Sequence, residues 1–239
     1  MRYFYEDARC PWRPDSILRR FLRNLTRRDR AARGRALDIG MGYGRNALWL
    51  AEQGYEVEGW ELNARYVAEA RREAHRRGVK LLARANDFTR ARLAGPYEVI
   101  VISGALHQVK RSAALRVLRQ ARTALAPPSS GRVPGGQLFL LVKLTRDAKF
   151  QRARRAPGWK PMPGERNTFL RPRERPRGSF HPGRPRRPLW VLSALTPAEV
   201  KGALRGLRIR HYRERVLRSD WEEAEPVTHT VAEIVAQRP

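Results

Sequence analysis

The segment from residue 36 to residue 63, ALDIGMGYGRNALWLAEQGYEVEGWELN, constrains the fold of this chain more than any other. An apolar run ends near Asp38, glycines follow at positions 40, 42 and 44, and a second apolar run ends at Glu61. Glycine adopts backbone conformations that other residues avoid, and it lets a ligand approach the main chain closely. The segment therefore predicts a strand, a glycine turn, a helix and a second strand, the unit from which nucleotide-binding α/β sheets are built.

Glu61 indicates which kind of ligand this turn would hold. It ends the second predicted strand, and a carboxylate at that place can accept hydrogen bonds from both hydroxyls of a ribose. A nicotinamide or flavin enzyme would show Gly-x-Gly-x-x-Gly, whose third glycine falls where this chain has Arg45. The Gly-x-Gly-x-Gly spacing after Asp38 therefore favours a nucleoside ligand that has no pyrophosphate.

Hydrophobic periodicity extends the alternation of strands and helices to most of the chain. The patterns predict helices at 14–29, 45–53, 64–77, 112–125 and 197–204, and strands at 35–40, 55–60, 79–84, 97–103, 137–144, 208–217 and 228–236. This alternation predicts an α/β fold: a doubly wound, seven-stranded, mostly parallel sheet of the Rossmann-like type, with an antiparallel last strand. We expect the ligand to lie across the carboxyl ends of strands one and two, where the strand order reverses.

The net charge of +27 is the strongest signal in the composition. It predicts a polyanionic partner such as RNA, although an excess of arginine spread over the whole surface would give the same number. Residues 151–188 contain twelve Lys or Arg against two Glu, with eight Pro and little periodicity. We predict that this segment is an irregular insertion or a lid and not part of the core. The charge itself leaves both interpretations open.

Several classes of protein conflict with the rest of the sequence. No apolar run approaches the roughly 18 to 20 residues that a membrane-spanning helix needs, and the charged N-terminal residues do not form a secretory signal. Cys10 is the only cysteine, which excludes an internal disulfide framework and a cysteine zinc site. No histidine has a metal-binding partner at suitable spacing. We therefore expect a cytoplasmic protein with no membrane partner and no metal.

The motifs resemble, in their order along the chain, those of the class I S-adenosylmethionine-dependent methyltransferases. Residues 38–44 are similar to the glycine motif of that family, and Glu61 with Leu62 is similar to its second motif. Residues 86–88, Asn-Asp-Phe, look like the family's adenine-contacting acid and its apolar neighbour. Residues 103–107, Ser-Gly-Ala-Leu-His, stand where the fourth strand of the family opens onto the substrate pocket.

Within this class, residues 42–63 look most like the tellurite-resistance and thiopurine methyltransferase branch of small-molecule enzymes. Pro11-Trp12 is similar to an N-terminal Pro-Trp of that branch, in which the aromatic ring covers the cofactor. The resemblance implies a basic helical segment and cofactor lid at 1–32 and a methyltransferase domain at 33–239. In this division, 151–188 is an Arg/Pro-rich insertion or lid of the methyltransferase domain.

The resemblance also implies S-adenosyl-L-methionine as the cofactor and a set of residues that bind it. These residues are Asp38, Gly40, Gly42, Gly44, Asn46, Glu61, Leu62, Asp87, Phe88 and Ser103. His107 is the candidate catalytic residue, because an imidazole with an ordinary pKa of about 6.5 can take a proton from a nucleophile. A pocket-lining role is the alternative for this histidine.

The methyl acceptor is the least constrained part of the prediction. The resemblance favours a small molecule, methylated by in-line displacement with proximity as the main catalytic effect. The alternative acceptor is RNA, bound by the basic N-terminal helix and the 151–188 segment. A non-catalytic module that binds S-adenosylmethionine or nucleic acid is a further alternative. Because the sulfonium is cationic, the local acids Asp38, Glu61 and Asp87 must make the pocket favourable for it.

Overall fold

The computed structural model describes residues 12–22, 33–128, 135–172, 189–219 and 227–239. Its helices are α1 (Ser16–Leu22), α2 (Arg45–Glu52), α3 (Ala64–Arg76), α4 (Arg111–Ala124), α5 (Ala148–Arg155) and α6 (Pro197–Ala203). Its strands are β1 (Arg35–Ile39), β2 (Glu56–Glu61), β3 (Leu81–Ala85), β4 (Val99–Ser103), β5 (Gln137–Lys143), β6 (Lys160–Pro161), β7 (Thr168–Pro172), β8 (Leu189–Ser193), β9 (Arg208–Ser219) and β10 (Val227–Gln237). The predicted continuation of the first helix to residue 29, and most of the predicted lid at 1–32, lie outside the described residues.

The main sheet has seven strands in the order β3-β2-β1-β4-β5-β10-β9. The first five run parallel, and β10 is antiparallel to both β5 and β9. The predicted doubly wound sheet with an antiparallel last strand is therefore confirmed. The expected point of reversal was wrong, because β1 pairs with β2 on one side and with β4 on the other. The strand order reverses between β1 and β4, which is where sheets of this type bind their ligands.

Both faces of the sheet are covered, and the residues of β1 alternate between them. Leu37 and Ile39 pack in the cluster that also holds the buried side of α4 and α6. Ala36 packs in the cluster with α1, α2 and α3. Burial on both faces explains why β4 and β5 read as continuous apolar runs, and each fully buried Leu or Ile contributes about 1.5–3 kcal/mol. Within the described ranges, no helix combines the length and apolar character that crossing a bilayer requires.

The described part of the 151–188 segment has regular structure, contrary to the prediction of an irregular insertion. It continues α5 and then forms β6 and β7, which pair with β8 in a separate three-stranded antiparallel sheet. Phe150, Phe169 and Leu192 form a small core of their own, and the two phenylalanine rings meet edge to face at 5.6 Å. Residues 173–188 lie outside the described residues, and the lid role stays a prediction.

A buried polar cluster joins this unit to the main sheet. Asp147, at the N-cap of α5, accepts from the main-chain N–H of Phe150 and of Thr230, both at 2.9 Å. Its Oδ2 also lies 3.3 Å from Nδ1 of His229, which is 3.0 Å from Nζ of Lys143. Burial favours a higher pKa for Asp147, but the hydrogen bond from His229 and the charge of Lys143 outweigh it and hold the pKa below its ordinary value. The cluster fixes the end of β5 against the start of β10.

Candidate cofactor and acceptor site

The glycine loop after β1 lies directly against the end of β2. The main-chain N–H groups of Gly40 and Met41 both donate to the carbonyl of Trp60, at 2.8 and 2.9 Å. Gly40 has a φ of +70°, and a Cβ at this position would lie 2.5 Å from the Cβ of Ala105 and 3.6 Å from the ring of Phe88. Only glycine fits there, because the φ is left-handed and the neighbouring chain is too close. The loop backbone thus borders the segments that follow β3 and β4.

Glu61 is 9% exposed at the carboxyl end of β2, and its carboxylate faces the loop. Oε2 accepts from the main-chain N–H of Gly42 at 3.1 Å, and Oε1 accepts from that of Asn63 at 2.8 Å. These two backbone donors orient the carboxylate of Glu61 at the edge of the glycine loop. Leu62 follows as a half-buried neighbour.

Asp38 is 1% exposed and lies beneath the first turn of α2. Its Oδ2 accepts from the main-chain N–H of Ala47 at 3.1 Å. Burial raises the pKa of Asp38 to about 7, the nearby charge of Asp15 adds to that increase, and the guanidinium of Arg45 opposes it. Asp38 therefore titrates near neutral pH at the base of the glycine loop.

Asp15 belongs to this group of charges, although no motif in the sequence marks it. It is 3% exposed just before α1, yet its carboxylate reaches α2. Oδ1 lies 2.5 Å from Nη1 of Arg45, and Oδ2 accepts from the side-chain amide of Asn46 at 2.9 Å. Nη2 of Arg45 also donates to Oγ of Ser103 at 3.4 Å. An Asp before a helix is an ordinary N-cap signal, but nothing local in the sequence indicates a partner 31 positions away.

The segment after β3 contributes the predicted pair Asp87 and Phe88. The main-chain N–H of Asn86 donates to the carbonyl of Glu61 at 3.0 Å, which holds this segment beside the end of β2. Oδ1 of Asp87 accepts from the main-chain N–H of Thr89 at 3.0 Å and from its hydroxyl at 2.6 Å. Asp87 thus caps the following turn, and Phe88 lies next to Gly40.

His107 lies in a 3-10 turn, Leu106–Gln108, just past the carboxyl end of β4. It is half-buried, and its Nδ1 is enclosed by protein. The small sheet sits on this turn, because Oγ of Ser193 in β8 donates to the carbonyl of Leu106 at 3.3 Å. The main-chain N–H of Arg111 donates to Oγ1 of Thr168 in β7 at 3.3 Å. The described part of the insertion therefore borders the turn that carries His107.

Trp12 lies near the glycine loop. Its ring centroid is 6.3 Å from that of Tyr43, which in turn is 4.4 Å from the ring of Tyr66. The guanidinium of Arg77 lies over Trp12 at 5.5 Å. Among the residues that the structure describes, no three His, Cys, Asp or Glu side chains are placed to hold a metal ion.

The sheet order, the glycine loop after β1 and the acid ending β2 together define the Rossmann-like fold of class I methyltransferases. An S-adenosylmethionine-dependent methyltransferase from Methanosarcina mazei superimposes with a TM-score of 0.64 at 20% identity, over 95% of this chain and 98% of its own. TehB from Haemophilus influenzae superimposes with a TM-score of 0.61 at 15% identity, over 94% of this chain and 66% of its own. The 1,6-didemethyltoxoflavin-N1-methyltransferase from Burkholderia thailandensis superimposes with a TM-score of 0.55 at 16% identity, over 93% of this chain and 75% of its own. At these identities the likeness is one of fold.

The family is indicated by the sequence. Residues 36–128 match the family described as a methyltransferase domain, and no curated protein sequence matches the chain. Residues 36–128 are thus a methyltransferase domain, and solved structures that share this fold hold S-adenosylmethionine or S-adenosylhomocysteine. This confirms the predicted enzyme class and cofactor.

Proposed function

We propose that this enzyme transfers the methyl group of S-adenosylmethionine to a small-molecule acceptor in the crevice between β1 and β4. The observation that carries the proposal is the convergence of Asp38, the 40–44 loop and Glu61 at one edge of the sheet. The residues present fit the cofactor: the loop offers bare backbone where a Cβ would collide, and the buried carboxylates suit a ligand with a cationic sulfonium, an ammonium and ribose hydroxyls.

Each predicted cofactor residue has a role in this proposal. Glu61 accepts from the ribose hydroxyls, Asp38 faces the methionyl ammonium, and Asp87 accepts from the adenine amino group. Leu62 and Phe88 pack on the adenine. The remaining residues, Gly40, Gly42, Gly44, Asn46 and Ser103, line the methionine side. Supporting these roles, the acids lie at the ends of adjacent strands, where their field acts locally against the +27 charge of the chain.

Catalysis in this proposal is mainly a matter of position. S-adenosylmethionine, when bound, supplies a methyl group on a sulfonium whose leaving group is a neutral thioether. The protein holds the acceptor in line with the methyl group and excludes water. Holding two reactants in the correct geometry by itself increases reaction rates strongly. His107, in the turn just past the carboxyl end of β4, takes the acceptor's proton. The small sheet of β6, β7 and β8 forms the acceptor-side wall beside this histidine.

A small-molecule acceptor is supported by one of the structural neighbours, whose structure holds 1,6-didemethyltoxoflavin together with S-adenosylhomocysteine. The direct test is calorimetric titration of the purified chain with S-adenosylmethionine, with NAD as the comparison ligand. We expect micromolar binding of the first and none of the second; the opposite result would remove the proposal. Methyl transfer to a panel of small heteroaromatic compounds then identifies the acceptor.

His107 has its own test once an acceptor is known. We expect His107→Gln to lower kcat by roughly 10²- to 10⁴-fold and to abolish the acidic limb of the pH profile. His75→Gln, an exposed histidine on α3, is the matched control. A His107→Gln enzyme with a normal rate and pH profile would assign the residue to lining the pocket.

A second candidate acceptor, RNA, is supported by the pairing of cations on the two edges of the sheet. Around α3, Arg72, Arg76 and Arg77 pair with glutamates at 2.8, 2.5 and 2.7 Å. Around α6 and β9, five exposed cations form no ion pair within the residues that the structure describes: Lys201, Arg205, Arg208, Arg210 and Arg213. Exposed cations with no ion pair among the described residues favour a phosphate backbone as their partner.

The RNA candidate is tested by titrating a single-stranded RNA at several salt concentrations. We expect R208Q/R210Q/R213Q to weaken binding and to reduce the salt slope by about 2, at roughly 0.7 for each lost phosphate contact. The matched variant R72Q/R76Q/R77Q removes three paired arginines from the opposite edge and should leave the slope unchanged. Equal losses in both variants would mean unspecific attraction and remove the RNA candidate.

A further inference from the structure

Arg45 occupies an unfavourable place in the proposed cofactor site. It is the first residue of α2, where the helix dipole already presents positive charge and disfavours a cation. It is also 6% exposed, so its guanidinium cannot be screened by water. The ligand proposed for this site is itself cationic at the sulfonium. An uncompensated Arg45 would therefore oppose both folding and cofactor binding.

Asp15 compensates this charge and does so from a different element. Its carboxylate lies 2.5 Å from Nη1 of Arg45. It also forms a reciprocal pair with Asn46: the main-chain N–H of Asp15 donates to Oδ1 of Asn46, and Nδ2 of Asn46 donates to Oδ2 of Asp15, both at 2.9 Å. All three residues are at least nine-tenths buried. The first turn of α2 is thus fixed to the entrance of α1 by three polar contacts.

We infer that Asp15 is a positioning residue of the cofactor site, which neutralises Arg45 and holds the first turn of α2 so that the pocket presents net negative charge to a cationic ligand. The inference rests on the proposed function, since it concerns the ligand of that site. It makes the segment before α1 a functional part of the site. Asp15 acts through Arg45 and Asn46 and does not touch the reacting atoms.

The charge argument predicts a difference between two ligands of nearly the same shape. S-adenosylmethionine carries the sulfonium charge, whereas S-adenosylhomocysteine has a neutral sulfur. Asp15→Asn keeps the size of the side chain and removes the carboxylate charge that pairs with Arg45. We expect affinity for S-adenosylmethionine to fall about tenfold more than affinity for S-adenosylhomocysteine, the effect of a unit charge roughly 10 Å away at an effective dielectric of about 20.

The experiment is calorimetric titration of both ligands into the wild type, Asp15→Asn, Arg45→Gln and the double variant D15N/R45Q. Glu52→Gln, a half-exposed acid paired with Arg77, controls for the loss of one negative charge elsewhere. Because neither charge remains in D15N/R45Q, we expect it to bind S-adenosylmethionine within about threefold of the wild type. This double variant also decides the question if Asp15→Asn alone does not fold.

The outcomes separate the inference from the proposed function. A wild type that binds neither ligand removes the proposed function itself. A wild type that binds both, with Asp15→Asn weakening the two equally or not at all, overturns the inference. The inference would also be overturned if D15N/R45Q melts as a folded domain but binds neither ligand. Asp15 would then serve only to hold the structure together.

Discussion

The main-chain N–H of Gly42 donates to Oε2 of Glu61 at 3.1 Å, so the glycine loop is joined to the end of β2. The acid proposed to receive the ribose therefore also shapes the loop that faces the methionine. Orientation by two backbone donors means that Glu61 need not rearrange when a ligand binds, which reduces the ordering cost of binding.

Replacing Glu61 by alanine should weaken S-adenosylmethionine binding by roughly 10- to 100-fold, since hydrogen bonds to a charged group are worth about 1.5–3 kcal/mol. Calorimetric titration measures the effect. Glu69→Ala removes an acid of α3 that pairs with Arg72 on the surface, and it should leave affinity unchanged. An unaltered affinity in Glu61→Ala would remove this residue from the cofactor site.

Asp38 should make cofactor affinity depend on pH around neutrality. Burial, the charge of Asp15 and, to a lesser extent, that of Glu61 raise its pKa to about 7, against the opposing charge of Arg45 and the N–H of Ala47. Below that pH the carboxyl is neutral and attracts the ammonium less, so affinity should fall towards pH 5.5. Titrations in buffers of different ionisation enthalpy should show protons released on binding at pH 6 and none at pH 8.5.

The same carboxylate should oppose folding at high pH. A group whose folded-state pKa lies above the unfolded value of 3.8 contributes stability at low pH that is lost as the pH rises through about 7. Asp38→Asn should therefore raise the free energy of unfolding at pH 8, by about 1.4 kcal/mol for each pKa unit at most, and still weaken the cofactor. Urea unfolding at pH 8 and pH 4 checks this, and a variant destabilised at pH 8 would contradict it.

Gly40 and Gly78 form a matched pair, because both have left-handed backbones with φ of +70° and +65°. A Cβ at Gly78 meets nothing within 4 Å, whereas one at Gly40 would lie 2.5 Å from Ala105. Gly78→Ala should cost about 1–2 kcal/mol of stability without changing affinity. Gly40→Ala should cost more and weaken the cofactor at least about tenfold. Partial recovery in G40A/A105G would identify the clash, and none would refute it.

Asp147 should stabilise the protein at neutral pH. Despite burial, the hydrogen bond from His229 and the charge of Lys143 lower its pKa, so its contribution is present above the unfolded value of about 3.8 and is lost as the pH falls through the folded value. Asp147→Asn should cost about 3–5 kcal/mol, as expected for breaking a buried ionic cluster. Glu214→Gln, at a more exposed pair with Arg146, should cost about 0–1 kcal/mol. Urea unfolding at pH 7 measures the free energy of unfolding of both variants. Equal losses of stability in the two would contradict this prediction.

The sequence was sufficient where spacing along the chain determines the structure. Asp38, the three glycines and Glu61 occur within one strand-turn-helix-strand unit, and the register pairing Ile39 with Trp60 brings them together in the fold. The alternation of strands and helices predicted the seven-stranded sheet for the same reason. The roles of these residues towards the cofactor remain predictions.

The sequence was insufficient where contacts join distant elements. Asp15 and Arg45 meet only because α1 packs on the α2 face of the sheet, and neither residue carries a local sign of the other. The small sheet was missed because β6 has two residues and the core around Phe150 is supplied by three separate segments. Such short strands give no alternation long enough to recognise.

The position of β10 between β5 and β9 has a consequence for how the chain folds during synthesis. Strand β9 leaves the ribosome first, but its sheet partner is β10, which follows it. Until β10 emerges, the edge of β5 and the whole of β9 lack a neighbour, and unpaired strand edges invite aggregation. Strand β9 carries arginines at positions 208, 210, 213, 215 and 218. Their positive charges repel the same strand of a second nascent chain and so disfavour aggregation until β10 has been synthesised.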